Sequence, residues 1–236
     1  AILFTLLTET ITFFTRVPLS KFFLSGTWNP TGSSPEFGIW ALIIGTLKIT
    51  VIATIVAVPI GLGAAIYLNE YASDRSRRII KPILEILAGI PTIVFGFFAL
   101  TFVTPILRNL IPNLGEFNSI SPGIVVGIMI VPMITSMSED AMSSVPDKIR
   151  EGAFGLGATK FEVATKVVLP AATSGVVASI VLGISRAIGE TMIVSLAAGS
   201  SPTSSLSLTS SIQTMTGYIV EIATGDAAFG LSLIHI

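Results

Sequence analysis

The chain has 236 residues, of which 51% are hydrophobic and only 11% are charged, and its formal net charge is −1. Soluble domains normally carry about 25% charged residues, so the composition excludes an ordinary soluble domain, and the near-neutral charge does not indicate nucleic-acid binding. The absence of cysteine excludes disulfides and thiolate metal sites, and the single histidine, His235, is too few for a histidine site, so no metal site is predicted.

The apolar residues form long continuous runs, which predict an all-α integral membrane protein rather than a barrel of alternating strands. We expect complete spans at about 39–68, 82–107, 122–137 and 171–198. The opening AILFTLLTETITFF lacks an initiating Met and is too short to cross a bilayer, and the closing AAFGLSLIHI stops inside an apolar run. About six transmembrane helices are therefore predicted, the first and last incomplete, within a longer natural protein.

Lys and Arg are unevenly distributed between the connections. Four lie in the loop 75–81 and four in the connection 148–166, whereas the opposite side has only Arg16, Lys21 and Arg108. Because basic residues collect in cytoplasmic loops, we expect 75–81 and 148–166 to be cytoplasmic. The outward loops are then TWNPTGSSPEFG, RNLIPNLGEFNSIS and the Ser/Thr-rich segment 199–225.

The last of these loops contains apolar residues at Ile212, Met215, Ile219 and Ile222. This spacing predicts a short amphipathic helix on the outer surface. Two roles remain open for it, a docking element for a partner or a re-entrant cover over the helix ends.

The long connection between the fourth and fifth spans is too structured for a linker and predicts two short helices around a glycine-rich turn. The first is expected to begin near Asp147 and to stop at Gly155 and Gly157, where a left-handed cap is easy. Thr159 and Glu162 have the spacing of a capping box, which predicts the start of the second helix.

The same connection contains a spacing that resembles a nucleotide-binding loop. Gly152 and Gly157 are separated as in a phosphate loop, but Ala158 stands where that motif requires Lys, and no strand precedes it. The chain is therefore not predicted to bind ATP or any other cofactor itself.

The connection also carries a family signature. Glu151, Ala153 and Gly157, followed after nine residues by Val167-x-Leu169-Pro170, resemble the EAA signature of permease subunits of bacterial ABC importers, with Gly152 in place of Ala. The alternative is an ordinary helix–turn–helix. In that family this segment forms the coupling helix that seats in a groove of the ATPase subunit. The residues to which the resemblance assigns coupling are Glu151, Ala153, Phe154, Gly157, Thr159, Lys160, Leu169 and Pro170.

Further stretches between about Trp28 and Met192 are similar to phosphate importer permeases of the PstC type: TWNP, AVPIGLGAAIYLNEYA, EILAGIPTIVFGFFAL and LGISRAIGETM. The resemblance implies a type I ABC importer permease (MetI-like) helix bundle. Residues 1–27 would be the end of the first helix and an outer segment, and 28–236 the permease domain, with the coupling segment 144–170.

This family implies a multi-pass protein of the bacterial inner membrane that is not itself an enzyme. It would move inorganic phosphate into the cytoplasm by alternating access. Its expected partners are the lipid bilayer, a homologous PstA-type permease, two copies of an ATPase subunit that use ATP and Mg, and a periplasmic or extracellular phosphate-binding protein, but no nucleic acid.

Two charges stand deep in the fifth predicted span, Arg186 and Glu190. A charge at the bilayer centre costs about 2.5–3.5 kcal/mol on insertion scales and indicates a functional site. Four residues apart in a helix, the two side chains are expected to share one face. They form either a packing ion pair or a site in which Arg186 binds a tetrahedral oxyanion and Glu190 positions it. The family resemblance implies that both residues act in substrate translocation.

Other charges are predicted to be interfacial. Lys48 is expected to snorkel to the outer interface rather than to bind substrate, and Glu70 and Glu85 are placed near the cytoplasmic ends of their spans. Three other functions remain open: an importer of sulfate, molybdate or phosphonate, a proton-coupled transporter with Glu190 as relay, and a membrane enzyme acting on a phosphorylated lipid.

Overall fold

Two long helices pack against each other at the centre of the molecule. The structure is a computed structural model that describes residues 2–30 and 35–224. Helix α3 (Trp40–Ile66) and helix α7 (Ile120–Ser143) lie in close contact along most of their length. Glycines allow this approach, because a Cβ at Gly127 would lie 2.9 Å from the Ala53 carbonyl oxygen. Small residues are typical of helix contacts in membranes.

Three described helical stretches are long and apolar enough to cross a bilayer, namely Trp40–Tyr71, Thr92–Leu110 and Ile120–Ser143. A fourth is possible if Lys160–Ala171 and Thr173–Ile188, which are bent by 76° at their junction, form one broken span. Helix α1 (Ile2–Arg16) occupies the stretch for which an incomplete first span was predicted, and the predicted last helix lies outside the described residues. The all-α prediction is confirmed.

The predicted span 82–107 is wrong in its first part. Helix α4 (Asp74–Gly89) is separate and has no buried residue, and the spanning helix begins only at Thr92. Pro91 causes the break, because the residue before a proline is pushed out of helical conformation; Ile90 is extended, with φ −67° and ψ 129°. The apolar character of 82–90 therefore belongs to one side of an amphipathic helix.

The fourth span extends six residues beyond its predicted end at 137, to Ser143. Two acidic residues, Glu139 and Asp140, lie just beyond the predicted end. Glu139 is nevertheless buried, and its carboxylate pairs with the Lys81 ammonium of α4 at 2.8 Å. A charge that finds a partner on a neighbouring helix can remain inside the bundle.

The predicted span 171–198 is also interrupted. Helix α11 (Thr173–Ile188) ends at Gly189, and helix α12 (Met192–Ala197) begins after a short non-helical stretch. Helix α12 then packs against α5 (Thr92–Phe98) and contributes Ile193 and Val194 to the main apolar core.

In the part of the chain that the structure describes, three helical stretches contain π-helical turns, at Tyr67–Tyr71, Ala99–Val103 and Val163–Val168. The first closes with a hydrogen bond from the Ala72 amide to the Tyr67 carbonyl at 2.8 Å. Such turns are frequent at functional positions. The second is followed by helix α6 (Thr104–Leu110).

One end of the bundle, here called the basic end, carries α4 and the segment 144–171. Its helices are α8 (Asp147–Gly155), α9 (Lys160–Glu162) and α10 (Leu169–Ala171). A second apolar cluster holds this segment against the ends of α3 and α7. Its buried members are Ala65, Met142, Val145, Val163, Val168, Ala172 and Val176.

The opposite end carries helix α2 (Leu19–Leu24) and a hairpin of β1 (Trp28–Asn29) and β2 (Glu36–Phe37), which pair antiparallel. The helix predicted in 199–225 is confirmed as α13 (Met215–Thr224). Ile212 precedes this helix and is fully buried, whereas Ile219 is 65% exposed, so the predicted apolar stripe does not form a single buried face.

Lys48, predicted to snorkel to the outer interface, reaches the predicted outward segment 199–225 but is buried beneath it. The residue is only 8% exposed, and its ammonium donates to the carbonyls of Ser205 and Ser207, the latter at 2.9 Å. The lysine therefore holds the segment 199–214 over the end of the bundle.

Candidate functional site

A cavity of about 170 Å³ lies between α4, α7 and α11, and Arg186 is on its wall. The Arg186 side chain comes from the last turn of α11 and is exposed. Within residues 2–30 and 35–224 it makes no ion pair. The remaining lining residues are Leu84, Glu85, Ala88, Met129, Pro132, Met133, Ser136 and Met137.

Glu190 lies on a different element from Arg186, so the prediction that they share a helical face is wrong. The reason is the end of α11 at Gly189, which places Glu190 in the break before α12. Glu190 is 7% exposed, and its carboxylate accepts a hydrogen bond from the Ile193 amide at 3.3 Å. Its carbonyl accepts one from the Thr216 hydroxyl at 2.6 Å. No ion pair joins Arg186 and Glu190 in the described part of the chain.

The carboxylate that shares the cavity with Arg186 is Glu85, which the sequence reasoning placed at an interface. Helix α4 brings it there, because the charged amphipathic pattern of 74–89 forms its own helix ahead of the span. Recognising Pro91 as the helix boundary would have separated Glu85 from the spanning segment. The wall of the cavity is largely apolar. Its polar groups include the Arg186 guanidinium, the Glu85 carboxylate and the Ser136 hydroxyl.

The turn between α8 and α9 has the predicted form. Gly157 is left-handed, with φ +86°, whereas Gly155 still belongs to α8. The capping box is confirmed: the Thr159 hydroxyl accepts from the Glu162 amide at 3.3 Å, and the Glu162 carboxylate accepts from the Thr159 amide at 3.1 Å. The turn therefore fixes the relative direction of two short helices.

Most of the residues to which coupling was assigned are exposed: Glu151, Phe154, Gly157, Thr159, Lys160 and Pro170. Ala153 and Leu169 are half-buried instead and pack against the second apolar cluster. The segment also exposes large apolar side chains that the signature did not single out: Ile149, Leu156 and Phe161. Exposed apolar residues at this density are typical of a protein interface.

Residues 57–236 match the sequence profile of a family described as "Binding-protein-dependent transport system inner membrane component". The chain belongs to this family. The match covers the cavity, α8 and the broken span, and it confirms the resemblance to importer permeases.

Curated proteins similar to this permease include the Probable ABC transporter permease protein YqgH of Bacillus subtilis, 38% identical over 180 residues, which are 76% of this chain and 58% of that protein. The Phosphate transport system permease protein PstC of Haemophilus influenzae is 37% identical over 200 residues, covering 77% of this chain and 63% of that protein. The permease spans about three fifths of the length of these relatives.

Among solved structures, this permease is similar to a chain of the inward-facing MetNI methionine ABC transporter, with a TM-score of 0.57. The alignment covers 83% of this chain and 87% of that chain at 18% sequence identity. The likeness supports the fold, which agrees with the predicted MetI-like helix bundle.

Proposed function

We propose that this permease is a transmembrane subunit of an ATP-driven importer that moves inorganic phosphate into the cytoplasm by alternating access. The observation that carries the proposal is the cavity between three helices with the Arg186 side chain on its wall. Relatives that are phosphate transport permeases by name support the choice of phosphate.

The chemistry of the cavity suits a tetrahedral oxyanion. A guanidinium offers five N–H donors in a planar fork that binds phosphate through two parallel hydrogen bonds. The carboxylate of Glu85 on the same wall repels the anion, so that the site holds its ion weakly enough to release it. Glu190 acts on the site indirectly. Its carboxylate accepts a hydrogen bond from the Ile193 amide and so fixes the start of α12, the helix that follows the one carrying Arg186.

Glu85 also favours phosphate over sulfate. At neutral pH phosphate retains a proton that can donate a hydrogen bond, whereas a carboxylate can only accept one. Sulfate carries no such proton, so it gains the contacts of Arg186 but meets the repulsion of Glu85. A permease for sulfate or molybdate is the second candidate, since Arg186 alone would accept any of these ions.

The basic end faces the cytoplasm in this proposal, because it carries most of the Lys and Arg residues. The exposed side chains of α8 and of the turn at Gly157 would then seat on an ATPase subunit that binds ATP and Mg. Two such subunits, a homologous PstA-type permease and an external phosphate-binding protein complete the importer in the bacterial inner membrane. The opposite end, with its hairpin and the 199–214 segment, would meet the binding protein.

The test is reconstitution of the permease with these partners in proteoliposomes, followed by measurement of phosphate uptake and phosphate-stimulated ATP hydrolysis. Loss of a charge-assisted hydrogen bond costs about 1.5–3 kcal/mol, so Arg186→Gln is expected to reduce uptake at least about 10-fold. Arg108→Gln, which removes an exposed arginine from the end of α6, is the matched control. Normal uptake by Arg186→Gln in an assembled complex would refute the anion site. Sulfate competing as well as phosphate would favour the second candidate.

A further inference from the structure

Arg150 precedes the first residue of the EAA signature, yet its side chain points into the protein. The side chain is only 13% exposed. Its Nε donates to the Glu70 carboxylate at 3.2 Å, and its Nη1 donates to the Asp147 carboxylate at 3.0 Å. The same group donates to two backbone carbonyls, Val145 at 2.5 Å and Met142 at 2.7 Å. All three nitrogens of the guanidinium therefore bind neighbouring groups.

These four contacts join three parts of the fold. Glu70 belongs to the π-helical turn that ends the first complete span, and its side chain is only 9% exposed. Met142 lies in the last turn of α7, and Val145 follows the end of that helix. Carbonyls at a helix C-terminus lack internal partners and favour a cation. Arg150 therefore connects α8 with the ends of both central helices.

The remaining attachment of α8 is weak. None of its residues is buried, and Ala153 packs only half-buried against the second apolar cluster. A buried ion pair adds little net stability compared with apolar residues of similar volume, because desolvation offsets the attraction. The hydrogen bonds of Arg150 are nevertheless a direct polar link between α8 and the ends of the two central helices.

The connection continues from Glu70 towards the cavity. The side-chain amide of Asn69 donates through Nδ2 to the Glu70 carboxylate at 2.7 Å. Arg77 of α4 donates through Nε and Nη2 to the carbonyls of Leu68 and Asn69, each at 2.8 Å. Helix α4 also carries Glu85, which lines the cavity with Arg186. A displacement of α8 can therefore reach α4 through the polar contacts that end at Arg77, and α4 itself carries Glu85 to the cavity wall.

We infer that Arg150 is a positioning residue that transmits the displacement of α8 to α3, α7 and, through the π-helical turn, to α4. The inference rests on the proposed import function, in which α8 is moved by an ATPase. The residues that transmit the displacement are then Arg150, whose side chain faces inward beside the signature, and Glu70, which is distant in sequence.

The experiment uses the reconstituted complex and compares Arg150→Gln, Glu70→Gln and the double variant with wild type. Arg78→Gln is the matched control, because that arginine is exposed and, among the described residues, donates only to the Asp74 carbonyl of its own helix, at 3.4 Å. We expect Arg150→Gln to assemble and hydrolyse ATP but to lower the phosphate moved per ATP about 10-fold, within the usual range of coupling between sites. Glu70→Gln should lower it about 5-fold, and the double variant should be no worse than Arg150→Gln alone.

Wild-type phosphate moved per ATP in Arg150→Gln would overturn the inference. So would an equal fall of uptake and hydrolysis in Glu70→Gln together with a lower unfolding temperature, since that pattern marks a structural role. Glu70→Gln leaves the Arg150 guanidinium and its contacts with carbonyls in place. If Arg150→Gln does not assemble, the phosphate moved per ATP by Glu70→Gln therefore tests the inference.

A measurement independent of the substrate separates failure of the linkage from failure of the proposed function. Hydrogen exchange is compared with and without trapping of ADP by vanadate in the ATPase subunits. In wild type, trapping should alter exchange both in α8 and at the ends of α3 and α7, and in Arg150→Gln only in α8. If wild type shows no phosphate-stimulated hydrolysis, the proposed function fails, and this exchange pattern still supports or overturns the linkage.

Discussion

Replacement of Gly157 by alanine isolates the backbone conformation of the turn between α8 and α9. The residue has φ +86°, and a Cβ there would meet no atom within 4 Å. Crowding is therefore absent, and the whole penalty comes from the left-handed backbone, which costs an L-residue about 1–2 kcal/mol. This free energy corresponds to about a 5- to 30-fold change in the population of the native turn.

The assay measures the affinity of the ATPase subunits for the permease and the phosphate-stimulated hydrolysis of the complex. Gly157→Ala is expected to weaken both by about 5- to 30-fold if binding requires the native turn. Gly157→Asn should recover most of the loss, because Asn tolerates the left-handed region. Gly155→Ala is the control, since that glycine is helical and its Cβ position is also open. Equal behaviour of Gly157→Ala and Gly155→Ala would refute the reasoning.

Three further predictions concern the cavity, the far end and the central helices. Glu85→Gln is expected to reduce discrimination between phosphate and sulfate, measured by competition for uptake, because the repulsion of an unprotonated ion is lost; unchanged discrimination would exclude this role. Lys48→Met removes the ammonium that donates to two carbonyls, and each such charged hydrogen bond is worth about 1.5–3 kcal/mol. Hydrogen exchange in 199–214 should therefore rise, and unaltered exchange would contradict the anchoring role. Gly127→Ala should lower the unfolding temperature in detergent, because its Cβ would lie 2.9 Å from the backbone of α3. The control Gly63→Ala, at an open helical position, should raise the unfolding temperature slightly. A change of the same sign at both positions would contradict the packing argument.

The sequence predicted the membrane class, the helices around α3 and α7, and the capped turn after α8, because each depends on local composition. Continuous apolar runs report burial in lipid, and the Thr159–Glu162 spacing is set within one helical turn. The breaks at Pro91 and Gly189 were missed. Apolar residues stand on both sides of each break, as in 86–90 and 92–98, and proline and glycine are tolerated inside membrane helices often enough to leave the choice open.

The candidate site was predicted only in part for the same reason. Arg186 was recognised from its depth in an apolar run. Its neighbour in the cavity is distant in sequence, since Glu85 lies about 100 residues earlier, and only the packing of α4 on α7 brings them together. The contact between Arg150 and Glu70 likewise joins residues 80 positions apart, which no local pattern can indicate.

The glycine contacts between α3 and α7 limit how the molecule can change shape. Added Cβ atoms at Gly61, Gly123 and Gly127 would all fall within 3.0 Å of atoms on the facing helix. The two helices are in direct contact at each of these glycines. Sliding one helix past the other would therefore press side chains of one helix against the backbone of the other. Close-packed interfaces of this kind move as rigid bodies. During transport the two helices would rotate together as one rigid body. The cavity beside Arg186 would then open and close where α4 meets α7.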